Sequence, residues 1–290
     1  MQAQYATAKA APARVCDNIE CGNCHGLIHR ALEAMHGDEE SQACGTVSKM
    51  FPPREYPVFE NGMAFRYLRE YAPLHLPQVM AGLLAAYRGL SACGRRPRTV
   101  LDIGSGPATV ALALQMLIGD GTIADSLAVD CVEPSSEFCD MIEKARSVWP
   151  EQPVALNAPL MMTMEQYLEA KYVCEADWVV MANVLSPLAA GSAPADTACR
   201  LMERLFEVQR KTGISPAVTL IEGSCRTYLD PYACLNAIGE RFHTVVRVGH
   251  PCSVSLNSPH ILKCGYYRKP VQKGCKPRLT MLTITEKGRE

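Results

Sequence analysis

From residue 99 onward, short apolar runs alternate with stretches in which apolar positions recur every three or four residues. The runs Thr99–Ile103, Leu127–Val132, Pro153–Leu156, Trp178–Met181, Ala217–Ile221 and Thr244–Val248 have the length and side-chain types of buried strands. Helices are predicted between them at Ala108–Leu117, Ser136–Ser147, Met164–Ala170, Asp196–Thr212 and Pro231–Phe242. Strand and helix in alternation predict an α/β fold, a doubly wound and mostly parallel sheet with crossover helices. A seventh strand, Leu279–Thr285, follows a long loop marked by the Pro, Asn and Ser residues between Gly249 and Pro259. Upstream, residues 61–92 read as helical with a break at Pro73 and Pro77. Met80, Leu83, Leu84, Tyr87 and Leu90 form the apolar face of that cap. The Phe51-Pro-Pro-Arg-Glu-Tyr-Pro57 stretch reads as an extended connector, because proline holds its predecessor away from the helix. The chain thus divides into a Cys-rich segment and connector (1–60), a helical cap (61–97) and an α/β domain with a basic tail (98–290).

Composition changes this picture little. With 290 residues, 48% hydrophobic and 20% charged, the chain can bury a sizeable core. Its formal net charge of −1 gives bulk electrostatics no reason to favour a nucleic acid or a membrane surface. The stretch Lys263 to Glu290 holds eight basic residues against two acidic ones, which reads as a solvated face or a phosphate-facing patch. No apolar run approaches the ~20 residues that span a bilayer. The first sixteen residues lack the compact apolar stretch of a secretory signal, so a soluble, cytoplasmic chain is expected, with organellar import as the alternative.

Chemistry enters at Thr99-Val-Leu-Asp-Ile-Gly-Ser-Gly-Pro-Ala108, an apolar strand running into a glycine turn and then a helix. Gly104 and Gly106 let the backbone turn sharply and approach a ligand, and the helix that follows aims its first amides at the turn. A dinucleotide fingerprint would need a third glycine at Thr109 and an apolar residue in place of Asp102. The spacing here is Asp-x-Gly-x-Gly. A carboxylate at that point suits a ligand that carries an ammonium group. The next strand, Leu127-Ala-Val-Asp-Cys-Val-Glu-Pro-Ser135, ends in Glu133, placed to accept hydrogen bonds from two ribose hydroxyls.

These residues resemble the class I (Rossmann-like) S-adenosylmethionine-dependent methyltransferase superfamily. Val100-Leu-Asp-Ile-Gly-Ser-Gly-Pro is similar to its first motif, Val132-Glu-Pro-Ser to its second and Asp177-Trp-Val-Val-Met-Ala-Asn-Val-Leu-Ser186 to its fourth. The resemblance covers roughly residues 61–250. It implies a seven-stranded sheet whose last strand is antiparallel, with S-adenosylmethionine as cofactor. It further implies that Asp102, Gly104, Ser105 and Gly106 hold the methionine part, that Glu133 and Pro134 meet the ribose, and that Asn157 and Ala158, with Met161 and Met162 nearby, lie by the adenine. Asn183 would face the sulfonium and the acceptor. Ala108 departs from the family, which often has a third glycine there. Tyr67, Tyr71 and His75 from the entering helices, and His250 after the sixth strand, are the substrate-binding candidates, each with packing or surface as the competing reading. No residue compels the role of a general base.

The chain carries fourteen cysteines. Cys131, Cys139, Cys174 and Cys199 fall inside predicted elements, where cysteine acts as a small hydrophobe. Cys16, Cys21 and Cys24 with His25, and His29 close behind, have the density of a zinc or iron–sulfur site, or of a thiol-rich terminus. Cys225, Cys234, Cys252, Cys264 and Cys275 are expected in loops or at element ends. Pro251-Cys252, His260 and Cys264 give a weaker likeness to methyltransferase-like assembly factors of the mitochondrial small ribosomal subunit. Three functions follow: methyl transfer to a small-molecule acceptor, an RNA- or ribosome-associated protein with a cysteine-bound metal, or aminocarboxypropyl transfer releasing methylthioadenosine. The small-molecule transferase is the reading the net charge favours.

Overall fold

The structure, a computed structural model, describes residues 64, 67, 68, 72–119, 121, 123–149, 153–170, 173–185, 193–223, 232–253 and 278–287. Within them the order is α1 (Ala72–Ala92), β1 (Thr99–Ile103), α2 (Thr109–Gly119), β2 (Leu127–Val132), α3 (Ser136–Ser147), β3 (Val154–Leu156), α4 (Met164–Glu169), β4 (Trp178–Ala182), α5 (Pro194–Arg210), β5 (Ala217–Gly223), α6 (Tyr232–Arg241), β6 (His243–Ser253) and β7 (Arg278–Thr285). Seven strands form one sheet in the order β3-β2-β1-β4-β5-β7-β6. The pairs among β1 to β5 are parallel, and β7 runs antiparallel to both β5 and β6. This is the sheet that the resemblance implied.

Alternation along the strands explains why both faces are covered. Val100 points to a core shared with α1, α2 and α3. Leu101 and Ile103 point to a second core, shared with α4, α5 and α6. A strand buried on both sides must read as a continuous apolar run, which is how these strands were found in the sequence. α1 lies close to the sheet because Gly82 and Gly89 leave room for it; a Cβ on Gly82 would stand 2.8 Å from Ile221 Cδ1. Some polar side chains inside the sheet are paired with one another. Trp178 Nε1 donates to Thr219 Oγ1 at 2.8 Å, and Thr219 Oγ1 lies 3.0 Å from Thr283 Oγ1, linking β4, β5 and β7. At the opposite edge from the site, Asp177 accepts from Arg98 N–H and Thr99 N–H and so ties the start of β1 to β4.

Several sequence expectations are corrected. α1 is continuous through Pro73 and Pro77, because the first sits where helical N–H groups have no partner and the second removes one bond near the start. α2 begins at Thr109 and not Ala108, whose φ of 54° lies in the left-handed region. β6 runs to Ser253, absorbing what read as a loop by register shifts between Thr244 and Val246 and between Val248 and Cys252. Cys174 lies between α4 and β4 and is half-buried, whereas Cys234 is buried inside α6.

A candidate cofactor site at the switch point of the sheet

The crevice opens where the order reverses around β1, with β2 on one side and β4 on the other. β1 delivers Asp102 into it, fully buried. Gly104 and Gly106 follow with φ of 71° and 52°, the left-handed conformation the turn requires. Gly104 N–H donates to Val132 O at 2.8 Å and Ser105 N–H to the same oxygen at 3.3 Å, so the turn is stitched to the end of β2. Ala108 shares the left-handed conformation, where a Cβ costs about 1–2 kcal/mol.

Two carboxylates stand side by side in different circumstances. Glu133, nearly fully buried, accepts from Gly106 N–H at 2.8 Å and from Ser135 N–H at 3.0 Å. Burial pushes its carboxyl up, and those two amides pull it part of the way back. Each oxygen keeps a lone pair for a further donor. Both oxygens of Asp102 are buried without a hydrogen-bond partner, and Ser105 Oγ has none beyond the neighbouring Cys131 thiol. Burial first, and the Glu133 charge second, hold the Asp102 carboxyl well above the usual carboxylate range. A buried carboxylate with no donor is costly, and a cationic donor entering the crevice would supply what it lacks.

Other predicted residues fall in several places. Asn183 follows β4 with φ 59°, and its N–H donates to Ile221 O at 2.7 Å. Tyr67 reaches over the glycine turn, its Cε1 4.0 Å from where a Cβ on Gly106 would sit. Its ring meets Phe138 of α3 edge-on, with centroids 5.5 Å apart. Tyr67 Oη lies 2.7 Å from His75 Nδ1, and burial lowers the His75 imidazole to about 4, so the ring is neutral. Ala64 N–H donates to Glu137 Oε2 at 3.0 Å, fastening the same entering segment to the start of α3. Pro134 is exposed beside Glu133. Tyr71, Cys16, Cys21, Cys24, His25 and the basic stretch before residue 278 lie outside the described residues.

Asn157 and Ala158 follow the end of β3, where Asn157 N–H donates to Val129 O at 3.0 Å. Asn157 Nδ2 donates to Asp130 Oδ1 at 2.8 Å, and the chain bulges there before returning at Leu160. Leu160 bridges Val132, and its carbonyl accepts Glu133 N–H at 3.0 Å. Met161, the next residue in the chain, is 63% exposed. His250 belongs to β6 rather than to a segment after it. Three strands separate β6 from β1, roughly 19 Å at the usual strand spacing. Glu222, a buried carboxylate near the end of β5, is not among the residues the motifs pointed to. The signal was present: Thr219-Leu-Ile-Glu-Gly is an apolar strand that ends in an acid, as β2 is.

Among the described residues no group of three His, Cys, Asp or Glu side chains could hold a metal ion, and no helix is long and apolar enough to cross a membrane. Burial pushes the Cys131 thiol well up and the Cys139 thiol to about 11, the behaviour of packing cysteines.

No family model and no curated protein matches the chain. Solved structures do. The plantazolicin methyltransferase BpumL in complex with SAH is similar over 94% of this chain and 99% of its own, at 10% identity and a TM-score of 0.46. A SAM-dependent methyltransferase of Leishmania major is similar over 77% of this chain and 82% of its own, at 14% identity and a TM-score of 0.42. WbdD, solved with a kinase inhibitor, is similar over 71% of this chain at 16% identity and a TM-score of 0.42; the chain spans 40% of its length. The sheet, with antiparallel β7 set between β5 and β6 and a glycine turn after β1, agrees with what the resemblance to class I methyltransferases implies.

Proposed function

We propose that the chain is an S-adenosylmethionine-dependent transferase that moves a methyl group to a small-molecule acceptor. The observation that carries this reading is Asp102: a fully buried carboxylate, unpartnered at both oxygens, at the mouth of a glycine turn. A dinucleotide offers no ammonium to such a group, and the dinucleotide fold orders its strands 3-2-1-4-5-6 without the antiparallel insertion found here. The residues present fit the cofactor. Asp102 would receive the ammonium, the backbone of Gly104 to Gly106 would lie along the methionine part, and Glu133 would accept the ribose hydroxyls. Met161, which follows Leu160, has the exposed apolar surface an adenine ring needs.

When bound, S-adenosylmethionine supplies an electrophilic methyl carbon on a sulfonium that leaves readily. The chain's own contribution is then mainly orientation. The left-handed Asn183 turns the chain sharply after β4 and borders the acceptor side, while Tyr67, its hydroxyl held by His75, lies over the glycine turn. Formal net charge −1 and a crevice lined by two acids favour a neutral or cationic small acceptor over a polyanion.

The test is equilibrium binding of S-adenosylmethionine, its demethylated product and NAD to the purified chain, followed by mass spectrometry of the nucleosides released. Binding of the first two without NAD is expected. Equal binding of NAD, or none of the three, would sink the reading. Methylthioadenosine as product would replace methyl transfer with aminocarboxypropyl transfer on the same site.

A further inference from the structure

Glu222 has no part in the reading above, yet it is 1% exposed at the end of β5, on the same edge of the sheet as Asp102 and Glu133. A carboxylate is expensive to bury, so its contacts repay attention. Glu222 Oε1 accepts Leu185 N–H at 2.7 Å. That amide belongs to the turn leaving β4, where a backbone donor has no strand partner. Two residues earlier, Asn183 N–H reaches Ile221 O at 2.7 Å, the last rung between β4 and β5. The turn 183–185 is thus held by two consecutive residues of β5, one through its backbone and one through its side chain.

Between those two fastenings sits Val184. Its Cγ2 lies 2.8 Å from where a Cβ on Gly104 would be, so the valine occupies the notch that the missing glycine side chain leaves. Gly104 in turn is fixed to the end of β2 through Val132 O. One contact path therefore runs from Glu222 through Leu185 N–H and Val184 to the first glycine of the turn. Behind it the backbone of Glu222 is in register with Thr280 of β7, whose Oγ1 donates to Tyr232 Oη at 2.8 Å. The strand that carries Glu222 is anchored on its far side.

We propose that Glu222 is a positioning residue for cofactor binding: through Leu185 N–H and Val184 it holds the Gly104 turn in the shape that receives the cofactor. This rests on the reading that the crevice takes S-adenosylmethionine. The experiment measures the Kd of S-adenosylhomocysteine by calorimetry, with Tm recorded without ligand, for wild type, Glu222→Gln, Glu222→Ala and Val184→Ala. An amide oxygen can still accept from Leu185 N–H, so Glu222→Gln should bind within about threefold of wild type. Loss of one hydrogen bond to a charged group in Glu222→Ala should weaken binding about tenfold or more. Val184→Ala keeps Glu222 and removes the wedge; a several-fold loss is expected, and it carries the test if Glu222→Ala does not fold. A merely structural role would lower Tm in the variants while the folded protein kept its Kd, and that result overturns the proposal. Equal weakening by Gln and Ala overturns it too, since charge and not the hydrogen bond would then matter. Wild-type protein that binds no cofactor would overturn the underlying reading, which the variants alone cannot do.

Discussion

Asp102 is the residue on which stability and function pull in opposite directions. Its buried carboxyl is held above the usual carboxylate range by burial and by Glu133. The folded, ligand-free protein therefore binds a proton that the unfolded chain has released above pH ~4. The sign follows: stability is fully present below the ordinary aspartate value and is lost as pH rises toward the raised one. Asp102→Asn removes this titration. Its Tm should fall less between pH 5 and 9 than that of wild type, measured without cofactor, while its affinity for S-adenosylmethionine drops about tenfold or more. Parallel pH slopes for the two proteins would mean that Asp102 does not titrate in this range. The residue was legible in the sequence because Asp-x-Gly-x-Gly is local. The contact Glu222 makes was not, because it is set by strand neighbours far away in the chain.

At the level of elements, the two turns that frame the crevice form one unit. Gly104 needs its left-handed conformation, and its absent side chain makes room for Val184. Gly104→Ala should cost about 1–2 kcal/mol for the conformation alone, with the overlap against Val184 added to that. Adding Val184→Ala to that variant relieves the overlap but not the backbone cost. Denaturant unfolding of the four proteins should give a coupling of about 1 kcal/mol; strictly additive effects would show that the turns do not bear on each other. Element types were legible from periodicity, since the parallel strands are buried on both faces. Their ends were less so. Ala108 read as helix on propensity, and β6 read as a loop beyond Val248, because register shifts and left-handed residues answer to neighbours that a periodicity cannot reveal.

For the whole molecule, β7 holds the position that matters most to assembly. It is the only partner of β6 among the described residues and joins it to β5. It also buries Met281, Leu282 and Ile284, worth roughly 5–9 kcal/mol together, comparable with the entire stability of a domain. A chain ending at Pro277 should lose the cooperative unfolding transition seen by circular dichroism; a transition kept within a few degrees would show that β7 is dispensable. By itself the sequence determined the strand and helix types, the glycine turn and the acids that end β1 and β2, because each depends on residues within one turn or one strand. Only the tertiary structure decided that the Leu160 carbonyl meets Glu133 N–H. It alone set β7 between β5 and β6, left Asp102 without a donor and brought Glu222 to the turn after β4. Those outcomes depend on register and on which strands lie side by side, and both are settled by packing the two faces of the sheet at once.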